Sequence, residues 1–332
     1  MSSNSASQKV ADAPKNIWVY RLLPARVWPY AQLARWDRPI GWWLLLWPCW
    51  WSLVLAMRVR LEQVEQNTAA AFPISSIVFL ALGLFLFWLG AVVMRGAGCS
   101  YNDLVDLRID AQVARTASRP IPSGRVSKKQ TLAFIFAQAL IGLLCLTGLC
   151  VIGFAVFNGF AMLLGIASLA IVAVYPFAKR VTDWPQLVLG LAFSWGALMG
   201  WAITFANLTP VPLLLYVGSI LWVIGYDTMY AHQDKEDDAL IGVRSTARLF
   251  GEQTKLAMAL LYAGTLALFA LAFYASAAGM IAYIGLALAG LHMIWQIHTL
   301  DINDADNCLA LFRSNSKFGW ILFASLMLDI LI

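Results

Sequence analysis

The sequence predicts an all-α, polytopic membrane protein, and three observations carry that prediction. Of 332 residues, 61% are hydrophobic and only 12% are charged, whereas charged residues make up about a quarter of a soluble domain. The charges are clustered, leaving residues 130–178 and 184–226 without any, and those lengths exceed any element of a soluble core. The 23 Lys and Arg recur at intervals between apolar stretches. The net charge of +5 therefore marks topology rather than a nucleic-acid surface.

Taken in order, residues 1–32 are expected to be a polar, partly disordered N-terminal segment, and residues 33–332 a single transmembrane domain. At about 20 residues per crossing, nine helices fit. The first covers about 39–57, where Trp42, Trp43, Trp47, Trp50 and Trp51 suit the membrane interfaces. The second covers 74–101. The stretch 130–178 makes two helices folded at Asn158-Gly159, 184–226 two folded at 207–210, and 256–300 two folded at 276–279. The ninth, about 312–332, is the least apolar because it holds Arg313, Lys317 and Asp329. The remaining Trp and Phe are mainly expected to face lipid. No cleavable signal is expected, since the first apolar run starts at Ile40 behind six Lys or Arg and is too long for one. The five cysteines show no C-x-x-C spacing, which argues for small buried side chains over a zinc site or disulfides.

Counting Lys and Arg by loop assigns orientation. Twenty of the 23 fall in the N-terminal segment and in the loops after helices 2, 4, 6 and 8. Only Arg58 and Arg60 lie in the alternate loops, and Arg95 lies inside helix 2. The excess marks the cytoplasmic side, which puts the N-terminus in the cytoplasm and the C-terminus outside it.

Acidic residues concentrate on the same side. Asn102, Asp106 and Asp110 recur every fourth residue where helix 2 leaves the apolar layer, on one helical face, with Asp103 off it. Asp227, Asp234 and Asp238 share a stripe if helix 6 continues through them. Carboxylates stacked on one face repel unless a cation sits among them, and hard oxygen ligands without His or Cys favour magnesium. Bases follow each cluster: Arg115, Arg119, Arg125, Lys128 and Lys129, then Lys235, Arg244 and Arg248. Carboxylates, magnesium and basic groups together make a diphosphate site. A solvated surface would explain one charge run, but not two at equivalent helix ends at membrane depth. Asp301, Asp304 and Asp306 hold no single stripe and read as a solvated loop. Asp37 reads as an ion pair with Arg35 or Arg38, and Lys128 and Lys129 as topology markers.

These segments resemble the intramembrane aromatic prenyltransferase superfamily. Asn102-Asp103-Leu-Val-Asp106-Leu-Arg-Ile-Asp110, followed by Arg115-Thr116-Ala-Ser-Arg119-Pro120, is similar to its first aspartate-rich motif. Tyr226-Asp227 through Asp234 to Asp238, then Gly242-Val-Arg244-Ser245-Thr246-Ala247, is similar to the second. Tyr175-Pro-Phe-Ala-Lys179-Arg180 resembles its short tyrosine–lysine element, and Arg35-Trp-Asp37-Arg38-Pro39-Ile40-Gly41 resembles the hydroxybenzoate branch. Arg244 stands where many members have lysine.

The resemblance implies nine helices in a bundle around a central cavity, with two Mg2+ ions held by Asn102, Asp106, Asp110, Asp227, Asp234 and Asp238. It implies transfer of a polyprenyl group from polyprenyl diphosphate to the ring of 4-hydroxybenzoate, ortho to its hydroxyl, a membrane step of ubiquinone biosynthesis. Asp106, Asp110, Asp227 and Asp234 would serve catalysis by assisting diphosphate departure. Arg115, Arg119 and Lys179 would contact the diphosphate, with Tyr175 nearby, and either Arg95 or Arg180 the acceptor carboxylate. Homogentisate, naphthoate or haem are the alternative acceptors within the superfamily. A secondary transporter would place its charges nearer the membrane midplane, and a scaffold would not need the two carboxylate stripes. The location implied is the bacterial inner membrane, or its mitochondrial counterpart in a eukaryote, with the site open to the cytoplasm. The bilayer and the two substrates are the expected partners, with no nucleic acid and no obligate protein partner.

Overall fold

The computed structural model describes residues 18–67, 74–112, 116–152, 157–240 and 242–332. Every regular element among the described residues is helical. In chain order these are α1 (Trp18–Leu22), α2 (Trp28–Leu33), α3 (Ile40–Asn67), α4 (Ile74–Val105), α5 (Leu107–Asp110), α6 (Lys128–Ile152), α7 (Gly159–Val181), α8 (Pro185–Ser194), α9 (Gly196–Phe205), α10 (Pro210–Ala231), α11 (Lys235–Leu240), α12 (Thr246–Phe250), α13 (Thr254–Ala275), α14 (Met280–Thr299) and α15 (Ala305–Leu331). Eight spans among the described residues are long and apolar enough to cross a membrane, with α8 and α9 joined as one. The chain is an integral membrane protein. The ninth expected crossing lies in α15, whose 27 residues carry Asp306, Arg313, Lys317 and Asp329; it is helical but falls outside those eight.

The turns fall where the sequence predicts them. Asn158 caps α7, its side chain accepting from Ala161 N at 3.0 Å. Ala206 ends α9 in the left-handed conformation before the Pro210 start of α10, and Ala277 turns α13 into α14. Helix α3 runs ten residues past the expected Met57 because nothing breaks it until Asn67, and Arg58 pairs with Glu62 one turn on at 3.2 Å.

By compactness the chain divides into two units, Met1–Trp43 with Trp88–Thr147, and Leu44–Phe87 with Gly148–Ile332. In the first unit the N-terminal segment is more ordered than its polarity predicts from residue 18 onward. Val19, Trp28 and Ala31 form a buried cluster, Tyr20 meets Trp28 edge-on at 5.2 Å, and the Trp28 indole donates to Leu23 O at 2.9 Å. A second cluster of Leu33, Ile121 and Val126, with Leu104 and Phe134 against it, joins α2, the end of α4, the loop 116–127 and α6.

In the second unit α10 packs on α13 and α8, and α14 on α15. Trp47 and Trp51, expected at an interface, are fully buried. Trp51 donates to Gly319 O at 3.2 Å, tilts against Trp222 and meets Phe269 and Phe318 edge-on. A large ring that has a hydrogen-bond partner inside is more stable in the core than in the belt. Helix α9 approaches α3 backbone to backbone at Gly200, where a Cβ would lie 2.5 Å from Leu53 N. Apolar side chains of α7 such as Leu163, Ile166 and Val174 face outward, as lipid requires. All five cysteines are buried and unpaired, as expected.

Candidate functional site

The first aspartate segment is built by a helix that bends without unwinding. Helix α4 stops at Val105, Asp106 forms the bend and α5 resumes at Leu107. Asp106 N still bonds Asn102 O and Asp110 N still bonds Asp106 O, both at 2.9 Å, so the fourfold spacing survives the bend. Asp106 and Asp110 are buried and Asn102 is half-buried, its Nδ2 donating to Asp106 Oδ2 at 3.2 Å.

Asp103 lies off that face yet is central to the segment. It is fully buried, and Arg35 Nη2 reaches its two oxygens at 2.6 and 2.9 Å. Arg119 Nη1 bridges Asp103 Oδ1 at 3.3 Å and Asp110 Oδ2 at 2.9 Å. Arg35 sits at φ 56, a left-handed conformation that costs a side-chain-bearing residue roughly 1–2 kcal/mol. Its ion pair with Asp103 and its bond to Gln32 O at 2.7 Å offset that strain. Asp37 meets Arg38 at 3.6 Å and the Tyr20 hydroxyl at 3.4 Å. Burial raises the Asp110 carboxyl above its ordinary value; Arg119 opposes that, and Asp103 and Asp106 add to it.

Arg95 lies on α4 seven residues before Asn102, on the same face and about 10 Å deeper. It is half-buried against Gly41, where any Cβ would come within 2.8 Å of its Nε. A side chain at 41 would make this guanidinium shift. Arg115 lies outside the described residues.

The second segment is assembled differently. Helix α10 ends at Ala231, and a 3-10 turn, His232–Asp234, separates it from α11. The single stripe expected through Asp227, Asp234 and Asp238 is therefore interrupted. The tighter turn accompanies burial of His232, whose Nε2 meets Thr254 Oγ1 at 2.9 Å. Asp227 and Asp234 are half-buried, and the Asp238 side chain lies outside the described residues.

The bases after this segment donate to main-chain carbonyls, and Arg244 also lies 3.8 Å from the exposed Asp183 carboxylate. Lys235 donates to Ile302 O at 3.1 Å and Asn303 Oδ1 at 2.7 Å, Arg244 to Val181 O at 3.2 Å, and Arg248 to Val243 O. Arg244 N also bonds Lys179 O at 3.1 Å. Thr246 closes the loop onto α10 through Thr228 at 2.6 Å and onto α8 through Gln186 at 3.0 Å. The tyrosine–lysine element and the second segment are therefore physically joined. Tyr175 and Lys179 are half-buried on α7; Arg180 is exposed, its guanidinium 5.7 Å above the Phe177 ring. The third acidic patch is a solvated cap, with exposed Asp304 accepting from Asp306 N and Asn307 N at the start of α15.

The donor set fits a hard divalent ion. It offers carboxylate and amide oxygens, and Asn102 donates through its amide nitrogen to Asp106, which leaves the amide oxygen out of that bond. Among the described residues no three Asp, Glu, His or Cys gather closely enough to hold an ion unaided. Magnesium seldom asks for that, since one or two carboxylates with waters and phosphate oxygens complete its shell.

Three comparisons bear on this arrangement. The model of the UbiA prenyltransferase family matches residues 45–325. The mitochondrial 4-hydroxybenzoate polyprenyltransferase of Drosophila pseudoobscura pseudoobscura is 43% identical over 305 residues, covering 92% of this chain and 71% of that protein. The apo structure of a UbiA homolog from Aeropyrum pernix K1 aligns with a TM-score of 0.66 at 27% identity, over 86% of this chain and 97% of that one. A UbiA homolog from Archaeoglobus fulgidus, bound to GPP and Mg2+, aligns at 0.59 and 18% identity over 92% of this chain and all of that one, and so shares the fold. With its two aspartate segments and membrane-spanning helices, the chain belongs to the UbiA prenyltransferase family.

Proposed function

We propose that this chain transfers a polyprenyl group from polyprenyl diphosphate to the ring of 4-hydroxybenzoate, ortho to the hydroxyl, as a membrane step of ubiquinone biosynthesis. The observation that carries the reading is 43% identity over 92% of the chain to a 4-hydroxybenzoate polyprenyltransferase.

Asn102, Asp106 and Asp110 hold one divalent ion, and Asp227, Asp234 and Asp238 a second. Bound there, magnesium supplies Lewis-acid neutralisation of the diphosphate as it departs. Arg115, Arg119 and Lys179 hold diphosphate oxygens beside Tyr175. Arg119 reaches both of its carboxylates through Nη1, and a guanidinium carries five donors. Loss of the diphosphate leaves an allylic cation; the ring carbon beside the phenol attacks it and the ring proton is then released. The chain must keep water from that cation, since water would capture it as an alcohol.

Arg95 takes the acceptor carboxylate. It lies within a membrane-spanning helix seven residues before Asn102, on the same helical face, and the Gly41 backbone lies against its guanidinium. Arg180, the competing choice, is exposed. Arg95→Ala should raise the KM for 4-hydroxybenzoate while leaving that for the polyprenyl diphosphate nearly unchanged; a rise in the donor KM alone would remove Arg95 from the acceptor. The membrane is the bacterial inner membrane, or the mitochondrial inner membrane in a eukaryote, with the N-terminus and both aspartate segments on the cytoplasmic or matrix side.

The overall reading is tested by incubating membranes containing the chain with 4-hydroxybenzoate, a polyprenyl diphosphate and magnesium. A prenylated acid should form, and homogentisate should give no product. Prenylation of homogentisate but not of 4-hydroxybenzoate would assign the chain to another branch of the family.

A further inference from the structure

The turn that interrupts the second segment decides where Asp234 points. Backbone angles change at the end of α10: Ala231 has ψ −20 and His232 has ψ −23, values of a 3-10 turn rather than of an α-helix. Continued as an α-helix, the chain would bring Asp234 back to within about 20° of Asp227 around the axis. A 3-10 turn rotates about 120° and rises about 2.0 Å per residue, so His232–Asp234 swings that carboxylate by roughly a further 60° and carries it about 1.5 Å further along. A change of that size decides whether the carboxylate meets a magnesium ion, whose ligands sit at about 2.0–2.1 Å in a nearly ideal octahedron.

Two anchors hold the turn, one on each side of Asp234. Before it, buried His232 meets Thr254 at the start of α13, Nε2 to Oγ1 at 2.9 Å. The Thr254 hydroxyl donates its one proton to Gly251 O at 2.7 Å, so it accepts from the imidazole and Nε2 carries a hydrogen. After it, Lys235 donates to Ile302 O and Asn303 Oδ1, and the turn packs on α15. The first anchor works against stability in one respect. The His232 Nδ1 is closed off from solvent with no hydrogen-bond partner among the described residues, and a buried polar atom left unsatisfied is destabilising. An apolar side chain would fill position 232 without that cost, so stability alone does not explain an imidazole here.

We propose that His232 is a positioning residue: its bond to Thr254 holds the turn that sets Asp234 for the second divalent ion. This role rests on the reading of Asp234 as a ligand and adds the device that aims it. Asp227 is carried by α10 itself and needs no such device. Without the bond to Thr254, the chain can continue the hydrogen bonding of α10, and Asp234 returns to the face of Asp227.

The test uses the full chain in phosphatidylcholine nanodiscs, with prenyl transfer to 4-hydroxybenzoate followed as magnesium is titrated. His232→Leu and Thr254→Val each break the bond. Each should lower kcat about tenfold and raise the magnesium concentration for half-maximal rate about tenfold, with the KM for 4-hydroxybenzoate unchanged. The double variant should be no worse than either single one, because both remove the same bond. Thr254→Ser keeps the hydroxyl and should behave as the parent. His232→Leu should unfold at the parent's temperature or above it, since no polar ring atom is then left unsatisfied, whereas a merely structural histidine would lose stability and turnover together. A midpoint that falls in step with kcat, or a normal magnesium dependence in both His232→Leu and Thr254→Val, overturns the role. Asp234→Ala separates the two levels of the reading. Retained turnover there would remove Asp234 as a ligand and the role of His232 with it; lost turnover there, with normal kinetics in His232→Leu, overturns the role of His232 alone.

Discussion

The two aspartate segments carry similar sequence signals and are stabilised in opposite ways. In the first, guanidinium groups bind carboxylates directly: Arg35 and Arg119 converge on buried Asp103, and Arg119 extends to Asp110. In the second, Lys235, Arg244 and Arg248 donate to main-chain carbonyls, their one carboxylate contact among the described residues is the exposed Arg244–Asp183 pair at 3.8 Å, and a pair of threonines closes the loop. The difference teaches that a base following an acidic motif has two physical uses. It can neutralise the carboxylates, or it can fix the backbone that carries them, and sequence spacing alone does not distinguish these.

The largest expected effect would show what the segments have in common. Asp106→Ala and Asp234→Ala should each lower turnover by at least about a hundredfold, since each removes charge stabilisation that belongs to the transition state. Steady-state prenyl transfer under saturating magnesium checks this, and near-normal turnover in either variant would break the parallel. The next effect should separate them. Asp103→Asn removes the buried charge that Arg35 and Arg119 share, leaving Arg119 only its pair with Asp110, and should cost roughly 3 kcal/mol of stability. Arg244→Met, at an exposed position, should cost less than about 1 kcal/mol. Thermal unfolding in detergent measures both, and equal shifts would show that the two regions do not differ as described. The smallest effect concerns the third acidic patch, where Asp304→Ala should lose only the cap of α15, about 1 kcal/mol, with activity unchanged. Loss of activity there would give that patch a role in the chemistry.

Much of this was legible in the sequence because it depends on local rules. The length of an apolar run sets a crossing, Asn158 and Pro210 punctuate the turns, and fourfold spacing stacks Asn102, Asp106 and Asp110. What escaped depends on distant partners. Asp103 lies off the stripe and gains its importance from Arg35, 68 positions earlier in the chain. The break after Ala231 goes with His232 finding Thr254, 22 positions later. Trp51 read as a belt residue because hydropathy cannot tell a ring that finds a buried carbonyl from one that finds the membrane surface. Arg244 read as a diphosphate base, and only the geometry of the α7 terminus reveals its carbonyl partner.

The five buried thiols give the protein a natural blank background for chemistry in intact membranes. Thiol reagents act on exposed thiolates, and a sulfur packed among apolar groups is slow to become one. A single cysteine introduced at Ser123, an exposed position in the loop after α5, would then report alone, with no native cysteine to remove first. In sealed vesicles of known orientation, an impermeant maleimide would reveal from which side that loop is reached, turning an inert feature of the core into a means of reading the protein's sidedness.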